Sequence, residues 1–312
     1  MFKVPILFLI FNRLDTSSRV FEEIKKQKPK FLYIAADGPR KERAGESEIC
    51  DMLRKSLLNQ IDWDCELKTL FRERNLGCTP AVTEAISWFF NNVEEGIILE
   101  DDCLPHPDFF NYCSELLEKY RDEEKIGMIG GCVFDKELKQ NNFSYRFSAY
   151  AKIWGWATWK RSWLLNQPID ASINENSFRD QVNKVFTQRN ERTAWLTEVK
   201  LFNKKRLIWD GRFQLSLLYQ NKLNIIPNKN LIINIGFGDN ATHTAYDDSP
   251  VSAYSFDSII SMKHPEYIQR NIQADRVYFY HYFYSSNFKK IKGKFIHLKR
   301  ILLMKMIGRS RL

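Results

Sequence analysis

The chain has 312 residues, 44% of them hydrophobic and 27% charged, a composition typical of globular proteins and not of disordered ones. Its formal net charge of +9 comes from the C-terminal segment, because residues 287–312 hold nine of the 47 Lys and Arg residues and no acidic residue. The remaining 38 basic residues balance the 38 acidic ones, which argues against a nucleic-acid-binding body.

The first hundred residues alternate apolar runs with amphipathic segments. This pattern is typical of an α/β protein with a Rossmann-like, mostly parallel central sheet flanked by helices. We predict strands at Ile6–Phe11, Phe31–Ala35, Glu66–Phe71 and Gly96–Leu99, and helices from Asp15 or Thr16 to Gln27, over Ala44–Asn59 and over Thr79–Asn91.

The second half of the chain is less regular. A helix is predicted over Arg212–Asn221, followed by short strands at Leu223–Ile226 and Asn230–Asn234. We find no internal repeat and no linker. We therefore predict one catalytic domain over residues 1–286 and a separate basic tail over 287–312.

Polar side chains follow each of the four strands predicted in the first half. In open α/β sheets, ligands bind outside the carboxyl ends of the strands, so these side chains are expected to meet at one binding site. The sequence contains neither a dinucleotide fingerprint nor a P-loop at these points. The residues are Asn12 and Arg13 after the first strand, Asp37 after the second, Arg74 and Asn75 after the third, and Glu100, Asp101 and Asp102 after the fourth.

The three adjacent carboxylates Glu100, Asp101 and Asp102 are the most informative of these residues. Like charges this close repel one another unless a cation neutralises them. Oxygen ligands suit Mn²⁺ or Mg²⁺, which keep coordination positions for substrate phosphates. The alternative is a solvated acidic turn before a helix that starts near Pro107 and Asp108.

With these residues identified, the sequence resembles GT-A-fold glycosyltransferases. It is similar to the N-acetylglucosaminyltransferase I superfamily and to bacterial sugar transferases of surface-polysaccharide assembly. The most specific match is the Glu-Asp-Asp triplet followed by Pro-Asp-Phe-Phe, within Ile98–Phe110. The other matching segments are Pro5–Arg13, Ala36–Gly38, Arg74–Gly77, Trp154–Trp163, Trp209-Asp210 and Ile235–Thr244.

The resemblance implies a role for each matching residue. Asp102 would bind the metal on the nucleotide diphosphate. Asp101 and Glu100 would bind the ribose and the donor sugar or orient the waters on the metal. Arg13 and Asp37 would contact the nucleotide base and phosphates, and Asp210 would be the general base.

The resemblance also implies a reaction. A sugar, with an N-acetylhexosamine as one candidate, would pass with inversion from a nucleotide diphosphate donor to a glycan or lipid-linked acceptor. A UDP-sugar is the favoured donor. The acceptor would belong to surface-polysaccharide or lipopolysaccharide assembly.

Several of these residues also have simpler interpretations. Asp37, which precedes Gly-Pro, could only form a turn. Arg13 could pair with Asp15 on the surface. Arg72 and Arg74 could hold a diphosphate or form ion pairs with Glu73 and Glu84, and ion pairing is favoured for Arg72.

His243 lies in a Gly- and Asn-containing loop, where the backbone can approach a phosphate closely. We predict that it completes the metal or diphosphate site; the alternative is a polar loop histidine with one hydrogen bond. Among the clustered tryptophans, Trp154, Trp156 and Trp159 are candidates for stacking on sugar, with a place in the core as the alternative. Trp163 is predicted to be buried.

The tail places apolar residues at three- and four-residue spacing between lysines. This pattern predicts an amphipathic helix on an anionic membrane surface, with a disordered tail or an oligomer contact as alternatives. No segment is apolar enough to span a bilayer. The six cysteines lack zinc or disulfide spacing, so we expect reduced thiols and a cytoplasmic protein at the inner face of the membrane.

Two other functional classes stay open. One is a nucleotidyltransferase that makes nucleotide sugars, although such an enzyme normally has a Gly-rich phosphate loop near its first strand. The other is a non-catalytic module that binds nucleotides or glycans.

Overall fold

The computed structural model describes residues 1–134, 142–166, 174–203, 208–236, 255–259 and 261–280. The chain divides into a large unit, Met1–Val133 with Gln140–Asn271, and a small unit, Phe134–Lys139 with Ile272–Leu312. The small unit begins before the boundary predicted after residue 286. The basic tail and His243 lie outside the described residues, so the membrane contact of the tail stays a prediction.

The large unit is built on an eight-stranded sheet and a two-stranded sheet. Their strands are β1 (Ile6–Ile10), β2 (Phe31–Ala36), β3 (Glu66–Phe71), β4 (Glu95–Glu100), β5 (Cys103–Pro105), β6 (Ile126–Gly130), β7 (Tyr145–Ser148), β8 (Trp156–Trp159), β9 (Leu223–Pro227) and β10 (Ile232–Asn234).

The large sheet has the strand order β3-β2-β1-β4-β8-β6-β9-β7. Strands β1 to β4 pair in parallel, and β6 and β9 pair in parallel with each other. Only β8 and β7 run against them in this sheet. The prediction of a mostly parallel, Rossmann-like α/β sheet is confirmed.

The described helices connect the strands along the chain, and the last helix follows the last strand. In α1, Val20, Phe21 and Ile24 are fully buried, as their helical spacing predicts. The helices are α1 (Leu14–Gln27), α2 (Glu46–Asn59), α3 (Cys78–Asn92), α4 (Pro107–Lys119), α5 (Lys160–Trp163), α6 (Glu175–Val185), α7 (Arg189–Asn203), α8 (Trp209–Tyr219) and, in the small unit, α9 (Ile272–Tyr278).

The predicted helix starts differ from the structure by one or two residues for α1, α2 and α3 and by three for α8. Helix α1 is preceded by Arg13 as N-cap, with no side-chain cap, and Asp15 lies inside its first turn, where a carboxylate favours the helix dipole. Helix α8 begins at Trp209 instead of Arg212, which places Asp210 in its first turn. Strands β7 and β8 and helices α6 and α7 carry no clear periodic signal and were not predicted.

The topology creates a crevice at the carboxyl edge of the sheet. The chain moves outward from β1 to β2 and β3, then returns to β4 on the other side of β1. Such a reversal of strand order is the usual ligand position in open α/β sheets. The crevice lies between the residues that follow β1 and the acidic triplet at the end of β4.

The two-stranded sheet adds a further wall to this edge. Strand β10 pairs antiparallel with β5, and Asn234 lies opposite Cys103. The backbone N–H of Ile235 donates to the carbonyl oxygen of Asp102 (2.8 Å). A segment from the second half of the chain is thereby fixed beside the acidic triplet.

Two findings concern the cysteines and the length of the helices. All six cysteines are free thiols. Across the described ranges, no helix combines the length and apolar character needed to cross a bilayer.

Candidate active site

A cavity of about 490 Å³ opens at the carboxyl edge of the large sheet. This volume lies within the range of small-molecule sites. Its walls come from the ends of β1, β2 and β4, from the first turns of α3 and α8, and from β10. The predicted site residues that line it are Arg13, Asp37, Asn75, Glu100, Asp101, Asp102, Trp154 and Asp210.

Arg13 pairs with the acidic triplet. Its Nη1 lies 2.8 Å from Oδ2 of Asp102 and 3.5 Å from Oδ1 of Asp101. The surface pair with Asp15 that the sequence left open does not form, because Asp15 faces Arg19 instead. Arg13 therefore supplies one positive charge at the acidic end of the cavity.

Gly236 allows close packing against Asp102. A Cβ atom at position 236 would lie 2.4 Å from Oδ2 of Asp102, so any side chain there would displace the carboxylate. Gly236 lies two residues after the end of β10, so the second half of the chain contacts this carboxylate, whereas Arg13 precedes α1 in the first half. Asp102 is held in place by its surroundings before any ligand binds.

The acidic end of the cavity disfavours full ionisation. Burial raises the pKa of Glu100 well above its usual value, and the charges of Asp102, Asp101 and Asp210 raise it further. Burial and the Asp102 charge raise the pKa of Asp101 to about 7, against the opposing effect of Arg13. Among the described residues, Arg13 is the cation that lowers the pKa values of both Glu100 and Asp101, and an additional cation would be stabilised here.

A divalent ion at this site would depend on few protein ligands. Within the described ranges, no group of three His, Cys, Asp or Glu side chains could hold a metal ion. Mg²⁺ and similar ions, however, commonly take one or two carboxylates and complete their coordination with substrate phosphates and water. Asp102 is suited to that arrangement, and His243 cannot be placed because it lies outside the described residues.

Asp37 holds the loop between β3 and α3. Its carboxylate accepts hydrogen bonds from the N–H groups of Gly38 (2.9 Å), Leu76 (3.0 Å) and Gly77 (3.0 Å). The turn-forming interpretation is therefore correct, and the same residue also lines the cavity. A nucleotide contact by Asp37 stays a prediction.

Two other strand-end residues also have structural partners. Asn75 donates to the carbonyl oxygen of Gly38 (2.8 Å) and lines the cavity. Arg72 pairs with Glu84 (3.1 Å), as the favoured interpretation expects. Arg74 is exposed and is not among the lining residues; its backbone packs against Gly38, where a Cβ would lie 2.3 Å away.

Asp210 reaches the cavity from the first turn of α8. Its Oδ1 accepts a hydrogen bond from the N–H of Gly211 (2.7 Å). Burial raises the pKa values of Glu100 and Cys78, which line the same cavity, and the charge of Asp210 raises both further. The fold thus brings a carboxylate from the second half of the chain to the acidic triplet.

The structure corrects the prediction for two tryptophans. Trp156 is 0% exposed and stacks on Trp209 with ring centroids 6.1 Å apart. Trp159 is 3% exposed and donates its indole N–H to the carbonyl oxygen of Leu117 (3.2 Å). Both lie in β8, inside the sheet, so burial contradicts a sugar contact for either residue.

Of the other two tryptophans in the cluster, one is buried and the other lines the cavity. Trp163 is 2% exposed, as predicted for a core residue. Trp154 precedes β8 and lines the cavity. A sugar contact by Trp154 stays a prediction.

Arg40 was not predicted from the sequence as a site residue. It lines the cavity and is bound by the buried carboxylate of Glu46. Its position shortly after the Asp37-Gly38 turn, outside a strand's carboxyl end, was the available signal. The Glu46 contact was not visible in the sequence.

Asn12 was predicted from the sequence as a site residue. It donates to the same carboxylate of Glu46 (2.9 Å) and is not among the lining residues.

No family model matches this chain, and no curated protein sequence matches it. Among solved structures, a cytidylyltransferase from Leptospira borgpetersenii serovar Hardjo-bovis is similar over 66% of this chain and 73% of its own, with 12% identity and a TM-score of 0.31. A putative glucose-1-phosphate thymidylyltransferase from Bacillus anthracis is similar over 65% and 84%, with 10% identity and a TM-score of 0.31.

A third similar structure is an inositol-1-phosphate CTP transferase from T. maritima, over 55% of this chain and 75% of its own, with 8% identity and a TM-score of 0.33. These three proteins are named as nucleotidyltransferases, the alternative that the sequence left open, and none of them as a glycosyltransferase. Likeness at this level carries no argument about the function of this chain.

Proposed function

We propose that this protein is a metal-dependent, inverting glycosyltransferase that uses a nucleoside diphosphate sugar. The observation that carries the proposal is the presence of two separate acidic elements in one cavity. The triplet Glu100–Asp102 with Arg13 forms one, and Asp210 on α8 forms the other. A metal ion on the donor diphosphate needs a carboxylate ligand, and the acceptor hydroxyl needs a base, so the reaction uses two such groups.

The triplet end suits the donor. A bound Mn²⁺ or Mg²⁺ would neutralise the charge that develops on the diphosphate leaving group. Asp102 would hold that ion together with diphosphate oxygens, and Arg13, 2.8 Å from Asp102, would donate to the same phosphates. Asp101 and Glu100 would contact the ribose and the donor sugar.

Asp210 suits the acceptor. In this proposal its carboxylate takes the proton of the acceptor hydroxyl as the new C–O bond forms at the anomeric carbon. The bond from that carbon to the diphosphate breaks, and the nucleoside diphosphate leaves. Attack from the side opposite the leaving group gives inversion. The proposed acceptor is a glycan or lipid-linked acceptor of surface-polysaccharide assembly, and the favoured donor is a UDP-sugar.

A nucleotidyltransferase is the second candidate, because the acidic end could also serve a nucleoside triphosphate. One observation and one chemical argument favour the glycosyltransferase. The segment after β1, Phe11–Leu14, contains no glycine for a loop that wraps phosphates. In addition, a sugar phosphate that attacks a triphosphate is already ionised, whereas an alcohol needs a base such as Asp210.

The nucleotide that is released distinguishes the two candidates. We expect wild-type protein with Mn²⁺ to release a nucleoside diphosphate from a nucleotide sugar, slowly when water is the acceptor. Chromatography of the nucleotide products measures this release, and a sample with EDTA is the control. Release of pyrophosphate from a nucleoside triphosphate and a sugar 1-phosphate, with nucleotide sugars left intact, would show a nucleotidyltransferase and contradict the proposal.

A further inference from the structure

A buried carboxylate organises one wall of the cavity. Glu46, the first residue of α2, is 5% exposed, yet both of its carboxylate oxygens have partners. Oε2 accepts from the backbone N–H of Arg40 (2.7 Å), and the Arg40 side chain contacts Oε1 and Oε2 through Nε (3.1 and 3.0 Å). Nη2 of Arg40 also donates to Oε1, as does the amide of Asn12 (2.9 Å).

This contact fixes the guanidinium of Arg40 in a single orientation. The hydrogen bonds from Arg40 lower the pKa of Glu46, which therefore stays ionised, and the guanidinium lies 5.4 Å from the ring centroid of Phe11. Glu46 is buried, whereas the Arg40 side chain keeps 38% of its surface exposed, so the carboxylate holds the guanidinium while leaving part of it accessible. Glu46 engages Nε and Nη2, and no described residue accepts a hydrogen bond from Nη1. Nη1 thus provides two N–H donors for a ligand.

The position of Arg40 relative to the acidic triplet suggests which part of a ligand it meets. Arg40 follows β2, which is separated from β4 by β1 alone. With neighbouring strands about 4.8 Å apart, the two ends of the cavity lie roughly 10 Å from each other. A nucleoside diphosphate with its diphosphate at Asp102 would extend its ribose across β1 and bring its base to Phe11 and Arg40.

We propose that Arg40, positioned by Glu46, binds the nucleobase of the donor and selects bases that carry carbonyl oxygens. The Nη1 donors of Arg40 can pair with a carbonyl oxygen of uracil, whereas adenine has none. Phe11, next to the guanidinium, provides an apolar surface at the same end. This inference rests on the proposed nucleotide site and goes beyond it by naming the residue that discriminates between bases.

The first test compares Arg40→Met with Arg43→Met. Arg43 is exposed in the same loop, so its substitution makes the same change in charge. Calorimetric titration of UDP and of ADP, each with Mn²⁺, measures affinity and base preference together. We expect Arg40→Met to weaken UDP binding about tenfold or more, ADP binding less than threefold, and Arg43→Met to change neither.

The second test separates a binding role from a purely structural one. Arg40→Met leaves Glu46 buried without its partner and could lower stability, so the double variant Arg40→Met/Glu46→Met, which replaces the pair by apolar side chains, is measured as well. We expect it to retain a cooperative thermal transition and to lose the same preference for UDP. Glu46→Gln should weaken UDP binding too, and its effect should not add to that of Arg40→Met.

Three results would overturn the inference. One is unchanged UDP affinity in both Arg40 variants, and another is an equal loss for UDP and ADP, which would place the contact at the ribose or phosphates. The third is a lower thermal transition with unchanged UDP preference, which would show that the pair only fastens the loop. A wild-type protein that binds no nucleoside diphosphate, whether UDP, ADP, GDP or CDP, would instead refute the proposed function itself.

Discussion

Replacing Asp102 by alanine or asparagine is expected to abolish the Mn²⁺-dependent part of nucleoside diphosphate binding. The structure holds this carboxylate in place between Arg13 and Gly236, and no described group of three side chains could substitute for it as a metal site. Loss of the charge that neutralises the leaving group should lower the rate of nucleoside diphosphate release by about 10²–10³-fold. Calorimetry of UDP binding with and without Mn²⁺ measures the first effect.

The two substitutions at Asp102 distinguish the metal from Arg13. Asparagine keeps a neutral acceptor for the Arg13 guanidinium, whereas alanine removes it. Asp15→Ala is the matched control, because Asp15 is close in sequence to Arg13 but its side chain is 87% exposed. If Mn²⁺ still strengthens UDP binding in Asp102→Asn as it does in wild type, Asp102 is not the metal ligand.

Replacing Asp210 by asparagine is expected to stop turnover while donor affinity holds. Asparagine keeps the shape of the side chain and its hydrogen bond to the N–H of Gly211, which is 2.7 Å in the native protein. It cannot take a proton from an acceptor. Loss of a general base costs about 10²–10⁴-fold in rate. Nucleoside diphosphate release and UDP affinity, measured on the same preparation, separate chemistry from binding.

The control for this variant is Asp51→Asn, on the exposed face of α2. It makes the same chemical change away from the cavity and should behave as wild type. Turnover by Asp210→Asn within a factor of two of wild type would remove Asp210 from the mechanism. Loss of UDP affinity in the same variant would instead show that Asp210 belongs to the donor site.

The arrangement of the site was predictable to the extent that the parallel sheet determines it. Buried apolar runs such as Ile6–Ile10 and Glu95–Glu100 identify parallel strands, and parallel strands end at the same edge. Arg13, Asp37 and the acidic triplet were therefore expected to meet. The position of Asp210 in the same cavity was implied only by the resemblance to glycosyltransferases, since no periodicity connects α8 with β4.

The remaining features depend on contacts between distant segments, which a single sequence does not reveal. The sequence predicts Trp156 as a candidate for sugar binding. A tryptophan that stacks on a sugar and a tryptophan that packs in a core can have the same neighbouring residues in the sequence, so the sequence does not distinguish them. Strand β8 places Trp156 against Trp209 instead. The pairing of Arg13 with Asp102 and of Arg40 with Glu46 likewise depends on side-chain geometry. Each changes what the residue can do in the site.

The most direct test is a crystal of the protein soaked with Mn²⁺ and UDP, with diffraction data collected for the anomalous signal of manganese. The proposed function predicts a manganese peak within coordinating distance of a carboxylate oxygen of Asp102, with diphosphate oxygens completing the coordination. Asp210 should lie across the cavity from the bound diphosphate. A nucleotide bound elsewhere, or a diphosphate held in this cavity by arginines with no manganese at Asp102, would contradict it.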